Sequence, residues 1–82
     1  MPELLSDASR RVVGARQVLR AVAAGSVERV YVARDADPFV TQPVVNACEK
    51  AGVRVEEVAA MQQLGKACGI SVSAAVAALL KA

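Results

Sequence analysis

Arg16, Gln17 and Arg20 are the residues of this chain best placed to do chemistry together. They follow Gly14 in the stretch Gly14-Ala15-Arg16-Gln17-Val18-Leu19-Arg20, which reads as a turn feeding an amphipathic helix. At about 100° per residue, Ala15, Val18, Leu19 and Val22 share one sector of the helical wheel, while Arg16, Gln17 and Arg20 fall roughly opposite, the two arginines about 40° apart. One side can therefore face a core. The other offers two guanidiniums, an amide and the free N–H groups of the first turn, where the helix dipole is positive. The chemistry this permits is anion binding. A glycine without a Cβ lets a phosphodiester approach the backbone. The arginines can hold phosphates, and the Gln17 amide, which donates and accepts, can read a base edge. The anion favoured is an RNA backbone; the plain alternative is a solvated helix face.

The other chemical candidates are weaker. Asp35-Ala36-Asp37 is similar to the aspartate pair of haloacid-dehalogenase-type phosphatases, but 82 residues are too few for the rest of such a site, and capping at Pro38 accounts for Asp37. Gly65-Lys66 is not a phosphate-binding P-loop, because the upstream glycine and the following Ser or Thr are missing. Helix packing at Gly65 and a turn at Gly69 are the structural reading, which leaves Lys66 free to point outward. Ile70, Ser71 and Val72 form a loop whose apolar members either tuck under the domain or cover a nucleotide flipped out of a stack. The chain has no histidine and two cysteines, Cys48 and Cys68, without CxxC spacing. They read as reduced core residues, and neither a metal nor a cofactor is expected. With Tyr31 and Phe39 as the only aromatics, stacking of bases from a single strand is a poor fit. An RNA ligand should be folded, and recognised by shape, phosphates and a few extruded bases.

Charge is unevenly spread. From Arg10 to Arg34 there are six arginines against the single acid Glu28, a net +5; from Asp35 to Leu64 the net is −3. A basic N-terminal third beside an acidic middle implies a one-sided positive surface. The length fits one domain. The N-terminus lacks the apolar run of a secretory signal and no stretch is long enough to span a bilayer, so a cytoplasmic location without membrane contact is expected.

The elements that must position these residues follow from periodicity and punctuation. Glu3 to Ser9 predicts a short helix, and Arg11 to Val13 a short strand entering Gly14. The helix from Ala15 runs to Ala24 and stops at Gly25. Val27 to Ala33 is a β-rich apolar run, read as a buried strand. After a turn at Arg34 to Pro38, Thr41 is the expected N-cap of a helix that tolerates Pro43 in its first turn and runs to Ala51. Val53 to Val58 predicts a one-sided strand at an edge, and Met61 to Cys68 a short helix. Ser73 to Leu80 stays open: its alanines favour helix, its position after a βαβα pattern favours a strand. The pattern implies an α/β fold, a three-layer α/β/α sandwich with a mixed sheet.

Three stretches together resemble the ribosomal protein L7Ae superfamily, nearest to its small bacterial YbxF-like branch. They are Val13-Gly14-Ala15-Arg16-Gln17-Val18-Leu19-Arg20, Val32-Ala33-Arg34-Asp35-Ala36-Asp37-Pro38 and Leu64-Gly65-Lys66-Ala67-Cys68-Gly69-Ile70. The last is the most specific, and the resemblance runs from about Ser9 to Leu80. It implies a four-stranded mixed sheet with Ser73 to Leu80 as a strand, and a single RNA-binding domain over residues 1–82. It also implies binding to kink-turn RNA, a sharply bent helix–internal loop–helix with tandem sheared G·A pairs. Family members that read those pairs carry Asn-Glu and, three residues beyond the Glu, Lys after the glycine; here Arg16, Gln17 and Arg20 stand there. Gln17 keeps an acceptor and Arg20 the charge, while Arg16 shifts weight from base reading to phosphate contact. Ile70, Ser71 and Val72 inherit the role of capping a protruding nucleotide, and Asp37 matches an acid that lies near the extruded base in some members. A lysine often found before the Leu-Gly motif is Met61 here, so one implied phosphate contact is missing.

The resulting expectation is a non-catalytic, monomeric RNA-binding protein that stabilises kink-turns in ribosomal RNA or a structured messenger leader. No small-molecule substrate is expected. Its RNA-binding residues would be Gly14, Arg16, Gln17, Arg20, Arg34, Lys66, Ile70, Ser71 and Val72. The rivals are a protein-interaction module and an RNA-recognition accessory domain of an enzyme built on the same fold.

Overall fold

A computed structural model describes residue 5 and residues 7–81. The strands are β1 (Arg11–Val13), β2 (Val27–Ala33), β3 (Arg54–Val58) and β4 (Val76–Leu80); the helices are α1 (Ala15–Ala23), α2 (Pro38–Ala51) and α3 (Met61–Ala67). Of the short helix expected from Glu3 to Ser9, Glu3, Leu4 and Ser6 lie outside the described residues, and its end is a turn instead, at Ala8 and Ser9, where the Asp7 carboxylate accepts a hydrogen bond from Ser9 N at 3.0 Å.

The four strands form one mixed sheet in the order β1-β4-β2-β3. β4 is antiparallel to both β1 and β2, and β2 is parallel to β3. So β1, β2 and β3 all run the same way, and each feeds a helix at the same sheet edge. The N-termini of α1, α2 and α3 therefore gather along that edge, together with the chain that enters β4.

Alternation along the strands assigns the layers. Val30 and Val32 of β2 pack with Val18 and Val22 of α1 and Val44 and Cys48 of α2. Tyr31, between them, packs with Leu64 of α3, Cys68 and Leu5 on the other face. The result is the expected sandwich: two helices, sheet, one helix. Cys48 and Cys68 are free and buried in different cores, separated by the sheet. Burial pushes both thiols above their ordinary value.

The open question at Ser73 to Leu80 resolves as strand. β4 occupies a central place in the sheet, with Val76, Ala77, Ala78 and Leu79 at 2 % exposure or less. Alanine's helix propensity, worth tenths of a kcal/mol per residue, is outweighed by ladders on both sides. Its small side chains let helices approach both faces.

The start of α2 departs from expectation. The N-cap is Asp37, not Thr41: its carboxylate accepts a hydrogen bond from Phe39 N at 2.9 Å, with Pro38 as the first helical residue. A carboxylate cap followed by proline is the stronger start, because proline lacks an N–H that would go unsatisfied there anyway. Pro43 thus lies inside the helix. Both Pro43 and Phe39, whose carbonyl loses its intrahelical donor, are exposed, so water can serve that carbonyl.

Candidate nucleic-acid interface

Gly14 is the corner where β1 turns into α1. Its φ of 103° is one that L side chains rarely adopt. Its N–H donates to the Val76 carbonyl at 3.0 Å and its carbonyl accepts from Val18 N at 3.0 Å. A Cβ here would lie 2.7 Å from Gln17 Oε1, so the Gln17 side chain folds back over the glycine. Backbone and amide thus form one polar patch at the mouth of α1. The helix wheel is realised as expected: Val18 and Val22 are buried, while Arg16, Gln17 and Arg20 are exposed. Among the described residues neither Arg16 nor Arg20 has an acidic partner within ion-pair distance.

The Gly14–Val76 bond places this patch beside the chain that enters β4. That chain is the loop Gly69 to Ser73, which follows α3. Ile70 N donates to Gly65 O at 3.1 Å and Ala74 N to Met61 O at 3.0 Å, so both loop ends are stitched to α3. Ile70 is half-buried against the α3-side core, whereas Ser71 and Val72 are exposed, Val72 at 67 %. Ile70 thus partly tucks under, as an apolar loop residue can, and Val72 does not. Between loop and helix runs an open groove of about 590 Å³, walled by Asp35, Met61, Gln62 and Lys66 opposite Ile70, Ser71, Val72 and Ser73. Lys66 is exposed on its rim.

Arg34 stands apart. It sits at the same edge, just beyond β2, but its guanidinium pairs with Glu57 at 3.3 Å. That pair is exposed on both sides and of small energetic weight. The two aspartates are committed to helix starts: Asp35 accepts from Met61 N at 2.8 Å and Asp37 from Phe39 N. Among the described residues no cluster of His, Cys, Asp and Glu could hold a metal ion.

Two residues absent from the expected site help to build it. Gly65 was legible as a packing glycine; a Cβ there would collide with the Val72 carbonyl, so the loop lies directly on the α3 backbone. Arg11 carried no signal. Its Nε donates to the Cys68 carbonyl at 2.9 Å, a bond across 57 positions that no local pattern can announce.

A sequence model of the ribosomal protein L7Ae/L30e/S12e/Gadd45 family matches residues 2–82. The chain belongs to this family. Within it, the chain is 45% identical over 69 residues to the RNA-binding protein TTE2299 of Caldanaerobacter subterraneus subsp. tengcongensis, covering 84% of each chain. It is 40% identical over 79 residues to the RNA-binding protein YbxF of Geobacillus stearothermophilus, covering 96% of each. Among solved structures, a 15.5kD RNA binding protein of Giardia lamblia superposes with a TM-score of 0.90 at 32% identity, over 98% of this chain and 70% of that one. Among the described residues of this L7Ae-family chain, no helix is long and apolar enough to cross a membrane.

Proposed function

We propose that this chain is a non-catalytic RNA-binding domain that recognises and stabilises kink-turn RNA. The observation that carries the reading is the adjacency of two surfaces. The exposed Arg16, Gln17 and Arg20 face begins at a glycine whose N–H is bonded to the carbonyl of Val76, the first residue of β4, three positions after the Gly69 to Ser73 loop. The names of the relatives support RNA as the ligand class.

The mechanism is a population shift. A kink-turn exchanges between an open and a bent form, and a protein that binds the bent form better draws the RNA toward it by the difference in affinity. Bending crowds phosphates from two strands. Arg16, in the first turn of α1 where the helix dipole is positive, and Arg20, one turn further on, neutralise them and release counterions. Lys66 adds charge from the groove rim, and Arg34 joins once its exposed pair with Glu57 opens. The Gly14 backbone and Gln17 amide contact the G·A region, while Ile70, Ser71 and Val72 cover the extruded base. The protein acts as a monomer in the cytoplasm, on ribosomal RNA or a structured messenger leader.

The test is a calorimetric comparison of a kink-turn with the same RNA whose G·A pairs are changed to Watson–Crick pairs. A clear preference for the former is expected. Equal affinity for both overturns the reading.

A further inference from the structure

The loop Gly69 to Ser73 is held by more than its own backbone. Val13 packs toward the α3-side core and Val12 toward the other. Arg11, two positions before Val13, therefore lies on the α3 side of β1. From there its guanidinium reaches the carbonyl of Cys68, the C-cap residue of α3. The last carbonyls of a helix lack intrahelical donors and carry the negative end of its dipole, so a cation donating there makes a charge-assisted bond. Neighbouring carbonyls of that end are already served: Gly65 O by Ile70 N, Lys66 O by Gly69 N. Arg11 serves that of Cys68, where the chain leaves the helix. The same strand launches α1 four residues after Arg11, so one side chain ties the origin of the charged helix to the origin of the loop.

We propose that Arg11 is a positioning residue for RNA recognition: it fixes the loop in its binding-competent arrangement before RNA arrives, and touches no phosphate itself. The proposal rests on the kink-turn reading given above. Its physical content is that apparent affinity scales with the fraction of protein whose loop is already in place. Releasing the bond lowers that fraction and costs affinity only for an RNA that uses the loop.

The experiment combines amide hydrogen exchange on the free protein with RNA titrations across salt concentrations, for the wild type, Arg11→Met, Arg11→Lys and Arg10→Met. Arg10 is a matched control, since it removes the same charge from the neighbouring position but bonds the Leu80 carbonyl instead. In Arg11→Met, amide protection at Ile70 and Ala74 should be almost wholly lost while Val30 and Val32 keep theirs, because a five- to tenfold loss of affinity requires the loop to be in place only about a tenth to a fifth of the time. Kink-turn affinity should fall about five- to tenfold with the salt slope and plain-duplex affinity unchanged, the scale of one lost hydrogen bond. Arg11→Lys, whose ammonium still reaches a carbonyl, should recover most of both effects, and Arg10→Met should show neither. A salt slope reduced by about one unit with loop exchange unchanged makes Arg11 a phosphate ligand and overturns the proposal. A loop stripped of its protection with unchanged affinity overturns it as well. A wild type blind to the kink-turn removes the underlying reading, which the first titration reveals before any variant is compared.

Discussion

The α1 face and the Gly69 to Ser73 loop carry one proposed task and are built by opposite means. The α1 face is local. Nine residues of helix with a buried stripe of Val18 and Val22 leave Arg16, Gln17 and Arg20 outside, and nothing remote is needed to aim them. The loop is non-local. It holds its shape through Gly65, Met61 and Arg11, and its exposed residues are neutral. The helix supplies charge and therefore range; the loop supplies shape and therefore discrimination. If so, damage to the loop should cost specificity for bent RNA, and damage to the helix face should cost electrostatic affinity for any RNA.

The largest effect should come from Gly65→Val. The new side chain meets the Val72 backbone rather than a yielding side-chain tip. A loss of about 3 kcal/mol in urea denaturation is expected, together with loss of kink-turn preference while weak duplex binding through α1 survives. A stable Gly65→Val protein with full preference would mean that the loop is not seated as described. Gln17→Ala comes next and probes the one base-reading member of the helix face. It should narrow the gap between kink-turn and plain duplex by about 1–3 kcal/mol; equal loss on both RNAs would assign Gln17 to electrostatics or folding. Arg16→Ala and Arg20→Ala should each flatten the salt dependence by roughly one unit of slope while leaving the preference nearly intact. An unchanged slope would place those guanidiniums off the RNA.

The smallest effect is in pH. Cys48 sits on α2 in the core shared with α1, Cys68 at the end of α3 where the loop begins, and burial pushes both thiols up, with Arg11 partly offsetting this at Cys68. Burial also raises the Tyr31 phenol. A group whose folded value is raised leaves the unfolded chain to ionise first, so the unfolded state then binds fewer protons. Stability is unaffected below the ordinary thiol value, about 8.5, and should fall as pH rises through and beyond it. Denaturation midpoints at pH 7 and pH 9.5 read this directly. Thiol-reagent labelling sharpens the comparison between regions: Cys68 should react before Cys48, because a loop opens locally more easily than two packed helices.

The same contrast explains what the sequence made legible. The strand Val27 to Ala33, the α1 stripe, the edge position of β3 and the core placement of both cysteines follow from short-range pattern, and the structure has them as read. The start of α2 was missed because Thr41 and Asp37 are both good caps, and the choice turned on which side chain reaches a free N–H. β4 stayed ambiguous because its strand character comes from two neighbouring ladders, not from its alanines. Arg34, expected among the RNA-binding residues, pairs with Glu57 23 positions away, and Arg11 bonds a carbonyl still further off. Local chemistry named the charged face; long-range contacts decided what stands beside it.

The most direct test of that pairing is a titration of isotopically labelled protein with kink-turn RNA, followed by backbone amide shifts. The account predicts perturbations concentrated at Gly14 to Arg20 and at Gly69 to Ser73, with Lys50 and Gly52 at the far end of α2 unmoved. Shifts confined to one of the two segments, or centred on the far end, would contradict it.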